Sequence, residues 1–137
     1  MAMRHLAGFW AGLVVGVVIV AAIESIGHWV YPPPVGIDAG DVQQMTAFIK
    51  SLPLGASLLV LVAWFAGAYC GVSLAYKISG KLGIGLVVGV MLFAGAVFTM
   101  LQVPHPTWFW VISVAGFPVM VFWGSVSGRM WRDKKSA

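Results

Sequence analysis

The sequence predicts an all-α membrane protein with four transmembrane helices, and three observations carry that prediction. Hydrophobic residues make up 61% of the chain and charged residues 9%, against roughly 45–50% and about 25% in soluble domains. Four apolar runs, about 8–30, 53–76, 82–103 and 108–128, each have the roughly 20 residues that cross ~30 Å of hydrocarbon as a helix. The runs are apolar on every face, as lipid-embedded helices are, and lack the alternation of barrel strands. A water-soluble fold of 137 residues could not bury that much apolar surface. The chain therefore reads as one domain, residues 1–137.

Charge sets the orientation. Arg4 precedes the first span, and Lys77 and Lys81 lie between the second and third. Arg129, Arg132, Lys134 and Lys135 follow the fourth, while Lys50 alone lies on the other side, near Asp38 and Asp41. Basic residues collect on the cytoplasmic side, so both termini are expected there. Anionic lipid headgroups account for the net charge of +4, and no nucleic-acid partner is predicted. A single cysteine, Cys70, excludes an internal disulfide and a cysteine-based metal cluster. It reads as a small packing residue. The first run is long for a signal peptide and leads directly into Glu24 and aromatic residues, so it is read as a retained span.

In the first span, Gly8, Gly12 and Gly16 recur every fourth residue. Small residues at that spacing let a second helix backbone come close. Trp29 and Tyr31 sit where interfacial aromatics belong, and Pro32, Pro33 and Pro34 end the helix. Beyond them, Asp41 and Gln44 have capping-box spacing. Val42, Met45, Phe48, Ile49 and Leu52 then recur with helical period. They predict an amphipathic helix over about 42–51, lying on the outer membrane surface or over the outer mouth of the bundle. Pro53 ends that helix or opens the next.

The second span carries Gly67-x-x-x-Gly71 and ends at a tight turn, 78–83. The third carries Gly85, Gly89 and Gly95 and ends in Thr99, Gln102 and Pro104-His105-Pro106. The fourth opens with Trp108-Phe109-Trp110, contains Pro118 as a candidate kink, and carries Gly124-x-x-x-Gly128 before Trp131 and a basic tail. The hexapeptide from Gly12 to Val17 recurs identically from Gly85 to Val90, and Gly67/Gly71 is echoed by Gly124/Gly128. This repeat predicts two tandem helical hairpins inserted the same way up, related by an axis along the membrane normal.

Glu24 is the only carboxylate in any apolar run. It lies roughly 6–9 Å below the outer edge at 1.5 Å per residue. His28 sits one turn above it and His105 at the same outer level. Ionised, such a carboxylate costs at least ~2.5 kcal/mol at membrane depth, so something should offset that cost. Three readings compete. In the first, Glu24, His28 and His105 are N/O ligands with open positions, suited to one divalent transition metal ion (Zn, Fe or Cu). In the second, they form a proton relay or the entry for a small solute, although no charged residue continues such a path through the inner half. In the third they are structural: Glu24 pairs with His28 or bonds Trp29, Gln102 or loop amides.

The glycine ridges, Gly12, Gly16, Gly67, Gly71, Gly85, Gly89, Gly124 and Gly128, serve either internal packing or assembly into a homo-oligomer or larger membrane complex. Soluble-type catalysis lacks its motifs: there is no Ser/His/Asp set, no phosphate-binding loop beside a strand and no His-x-x-x-His cluster. The expectation is a non-enzymatic structural or accessory protein acting through association, with a cation or metal site as the alternative.

The pattern Gly-x-x-x-Gly, Glu24-x-x-x-His28, Tyr31-Pro32 and Pro104-His105-Pro106-x-Trp108-Phe109 resembles a group of small four-span bacterial membrane proteins with no assigned activity. The resemblance covers most of the chain. It implies the four-span topology and a bacterial inner-membrane location, and it implies no catalytic residues.

Overall fold

The computed structural model describes residues 2–38 and 40–136, with side chains as far as Lys134, so the Lys135 side chain lies outside the described residues. Among these residues there are five helices and no strand: α1 Ala2–Val30, α2 Val42–Ser51, α3 Leu54–Ser79, α4 Leu82–Gln102 and α5 Thr107–Ser136. Four of them, α1, α3, α4 and α5, are long and apolar enough to cross a membrane. Two overrun their apolar stretches. α1 starts at Ala2 rather than 8, and α5 continues to Ser136 rather than 128. A charged residue ends an apolar run but not a helix, because Lys and Arg are good helix formers.

Local chemistry sets the helix ends. Asp41 caps α2, its Oδ1 accepting from the backbone N–H of Gln43 (2.9 Å) and Gln44 (3.2 Å). These N–H groups, that of Gln44 first, hold its carboxyl below the usual carboxylate range. The reciprocal half of the box is altered. Gln44 Nε2 donates to Asp41 Oδ2 at 2.9 Å, and its Oε1 accepts from the Asp38 N–H at 3.1 Å. Among the described residues α2 packs against none of the other helices, so it does not close the mouth of the bundle. At the far end of α3, Gly80 takes a left-handed conformation (φ 68°) and returns its N–H to Tyr76 O at 2.7 Å. A Cβ there would overlap the Arg132 guanidinium, so glycine is needed for conformation and for space alike. Arg4 donates from Nε and Nη2 to Ile78 O at 3.4 and 3.3 Å. The negative end of the α3 dipole thus receives guanidinium groups from both α1 and α5.

α3 is the hub. Its largest interface is with α1, followed by α5 and α4. The α4–α5 interface is the least extensive, and among the described residues α1 and α5 form no backbone-level interface. On α1, Gly12 faces the backbone of α3: an added Cβ would lie 2.5 Å from Gly71 O. In return, Cβ atoms on Gly67 and Gly71 would lie 2.8 and 2.7 Å from the carbonyls of Gly16 and Gly12. α5 uses α3 in the same way, with Gly124 and Gly128 placing a Cβ 2.7 Å from Tyr69 O and 2.6 Å from Ser73 O. Gly85 and Gly89 of α4 meet side chains first. A Cβ on Gly85 would lie 3.4 Å from Val72 Cγ1, and one on Gly89 2.7 Å from Val121 Cγ2.

This arrangement differs from two equivalent hairpins. In a true tandem repeat, α5 would use Gly124 and Gly128 against α4, as α3 uses Gly67 and Gly71 against α1. It turns them to α3 instead. Both glycine pairs seek a backbone with room beside it, and α3 offers one on two faces. The core lies toward the end formed by the C-termini of α1 and α4 and the N-termini of α3 and α5. Leu61, Trp64, Met100, Phe109 and Phe117 are buried there.

Candidate functional site

The close approach of α1 to α3 determines where Glu24 lies. Gly12 and Gly16 seat one face of α1 on Gly67 and Gly71, which brings half-buried Glu24, further along α1, level with Trp64. Trp64 Nε1 donates to Glu24 Oε1 at 2.9 Å. The indole is 4% exposed, and a buried indole N–H needs an acceptor. Its ring packs edge-on against Phe109, with centroids 5.4 Å apart.

His105 joins this aromatic group. It stacks on Phe109 at 4.4 Å with planes 24° apart, and its ring centroid is 6.3 Å from that of Trp64. Its Nδ1 lies 2.6 Å from Val103 O. A carbonyl only accepts, so Nδ1 carries the proton. Burial pushes the His105 pKa down, and the bond to the Val103 carbonyl only partly opposes it. His28 is exposed. Among the described residues the only ion pair within 4 Å is Arg129–Asp133 at 3.9 Å, so Glu24 and His28 form none.

The expected meeting of Glu24, His28 and His105 is therefore not what the structure shows. Glu24 and His105 each lie near the Trp64 indole, and His28 is exposed. Among the described residues no three His, Cys, Asp or Glu side chains come together where they could hold a metal ion. The partners considered for Glu24, namely His28, Trp29, Gln102 and loop amides, give way to Trp64. A signal for it was present. Tryptophans in spans collect at the membrane interfaces, whereas Trp64 lies ten residues into α3. A tryptophan that far from a helix end requires an acceptor, and the only carboxylate in the four apolar runs is Glu24.

Beside Glu24 there is a cleft of about 250 Å³. Val17 and Val20 of α1, Met91 and Leu92 of α4 and Phe117 of α5 form its apolar walls, with Glu24, Trp64 and Thr99 among them. Val17, Met91, Gly95 and Thr99 are exposed, so the cleft opens sideways between α1 and α4. A second cleft, about 200 Å³, lies between α4 and α5 and is lined wholly by apolar atoms, at Leu86, Val90 and Pro118 among others. The Glu24 cleft thus differs in chemistry more than in size. It has no second titratable group among its lining residues and so no acid–base pair. The glycines named as packing residues lie along the helix contacts. Gly12, Gly16, Gly67, Gly71, Gly124 and Gly128 are at or beside backbone, and Gly85 and Gly89 are against valine side chains.

No protein family, curated protein or solved structure matches this chain, and its function has to be read from this geometry.

Proposed function

We propose that this is a non-enzymatic integral membrane protein that binds a small amphiphile in the lateral cleft beside Glu24. One observation carries the reading: a carboxylate anchored by a buried indole forms the polar wall of an otherwise apolar cleft that opens sideways. Binding sites are commonly concave and apolar, with a few placed polar groups.

Membrane insertion is supported by the four long apolar helices and by the large apolar side chains on their outward faces. Trp10, Val14, Val18, Val90, Phe98 and Phe122 are all more than half exposed, more than a soluble monomer tolerates. Arg4, Lys77 and Arg132 gather round one end of α3. Lys77 lies over the Trp131 ring at 4.3 Å, and that end is read as cytoplasmic. Both termini then face the cytoplasm of a bacterial inner membrane, and the cleft opens into the outer leaflet. The glycine ridges that favoured association are occupied inside the bundle, so a homo-oligomer or larger complex would have to form on other faces.

Photolabelling tests this reading. The chain in lipid nanodiscs is exposed to a neutral alkyl diazirine and digested. Label should concentrate on peptides carrying Glu24 and residues 91–99. Gly95→Leu should abolish it without loss of folding, because a Cβ at Gly95 meets nothing within 4 Å and the longer side chain takes up space in the cleft that Gly95 lines. Even labelling of all lipid-facing positions, indifferent to Gly95→Leu, would sink the proposal.

A further inference from the structure

The polar atoms of the cleft narrow what it can hold. Trp64 Nε1, its indole donor, is committed to Glu24 Oε1. The Thr99 hydroxyl is committed to Gly95 O at 3.0 Å. What remains for a ligand is acceptor capacity: the second carboxylate oxygen of Glu24 and the lone pairs of Thr99 Oγ1. The cleft has no donor to offer among its described lining residues. Nor is Glu24 compensated: among the described residues no cation lies within 4 Å of its carboxylate. Arg4 is tied to Ile78 O, and Lys77 lies over Trp131, both at the opposite end of the bundle.

A ligand that satisfies these atoms brings its own donors and, for an uncompensated carboxylate, a positive charge. The remaining walls are valine, methionine, leucine and phenylalanine with the Trp64 indole, which suit an apolar body. At about 250 Å³ the space is below the ~300–1,000 Å³ of drug-sized pockets, so the body is small. A phospholipid headgroup does not meet this description. Its phosphate would enter an apolar cleft with no donor to receive it, which is costly.

We infer that the cleft binds small lipophilic amines in their protonated form, with the ammonium on Glu24 Oε2 and Thr99 Oγ1 and the apolar body along α4. This rests on the proposed binding role of the same cleft and specifies its ligand. The Trp64 N–H holds Glu24 in place at the wall of the site.

The test is competition against the diazirine label by three probes with one aromatic body and different heads: 2-phenylethylammonium, 2-phenylethanol and 3-phenylpropanoate. Charge-assisted hydrogen bonds are roughly twice as strong as neutral ones. The ammonium should therefore block labelling of residues 91–99 at a concentration about tenfold or more below that of the alcohol, and the carboxylate should fail to block it. Glu24→Gln keeps an acceptor for Trp64 but removes the charge, and should bring ammonium and alcohol within about twofold of each other. Thr99→Val should weaken blocking by the ammonium severalfold. Replacing phosphatidylcholine by phosphatidylethanolamine in the nanodisc should change nothing, and blocking by that lipid would overturn the inference. Equal blocking by ammonium and alcohol in the unaltered chain would also overturn it, while leaving the binding role intact. Diffuse labelling that no probe affects would remove both.

Discussion

Two helices of this protein carry the same six residues, Gly-Leu-Val-Val-Gly-Val, at 12–17 and 85–90, and they pack differently. On α1 the two glycines seat the helix against α3: a Cβ at Gly12 would reach 2.5 Å from a carbonyl oxygen. On α4 the same glycines face the side chains of Val72 and Val121. The difference lies in the partner. α3 opposes α1 with Gly67, Gly71 and Ala75, whereas it opposes α4 with Val72. A glycine ridge confers the capacity for close approach, and the opposing helix decides whether that capacity is used. The consequence reaches the cleft: α1 lies tight on α3, its interface with α4 is less extensive, and the opening beside Glu24 lies between α1 and α4.

The strongest way to break this comparison is to add the same side chain to both ridges. Gly12→Val should cost about 3 kcal/mol or more, since backbone must move to admit it, and Gly85→Val about 1 kcal/mol or less, since a valine rotamer can yield. Unfolding in mixed detergent micelles with a denaturing detergent measures both. Equal losses would mean that the two ridges are equivalent after all.

The next largest effect concerns what the tight pair positions. Trp64→Phe removes the donor to Glu24 and should cost about 1.5–3 kcal/mol, the range for hydrogen bonds to charged groups. Combining it with Glu24→Leu should recover part of that loss, because neither partner is then left unsatisfied. Simple additivity in this double-mutant cycle would show that the two side chains are not coupled.

A smaller, pH-dependent effect belongs to the α4–α5 connection. Burial places the folded-state pKa of His105 below its ordinary value of about 6.5. The neutral ring is favoured by folding, so its contribution is fully present above that ordinary value and is lost as pH falls through the folded-state pKa. The unfolding temperature should drop between pH 8 and pH 5, and His105→Phe, which retains a ring to stack on Phe109, should remove that component. A pH profile identical in the two proteins would refute the assignment.

The smallest effects serve as the control. Gly27 on α1 and Gly95 on α4 meet nothing within 4 Å. Alanine at either should stabilise the helix by roughly 0.5–1 kcal/mol. Unlike the ridge positions, the two should agree, as read by the same unfolding assay.

Much of this architecture is legible in the residues because it rests on local rules. The apolar runs locate four helices, and Asp41 announces the start of α2, since a cap needs only its own turn. Pairing is not legible in the same way. Every-fourth-residue glycines look alike whichever helix they will meet, so Gly124 and Gly128 suggest a repeat although they pack on α3. The spacing of Glu24 and His28 suggests a pair, but four residues advance a helix by 400°, leaving the two side chains about 40° apart. That offset is enough for Glu24 to turn toward α3 while His28 remains exposed. Trp64 goes unnoticed because hydropathy counts it as one more apolar residue and ignores its N–H.

The glycine at the end of α3 also has a bearing on how the chain is made. Gly80 is in place early in synthesis, but the guanidinium that fills the space beside it belongs to Arg132, more than fifty residues later. α1 and α3 can close on each other as soon as both have left the ribosome, and Arg4 can reach Ile78 at that stage. The second clasp on α3 waits until residue 132 has been translated and α5 has docked. Assembly is thus directional: an early pair acts as the template, and a late helix locks it at the basic end.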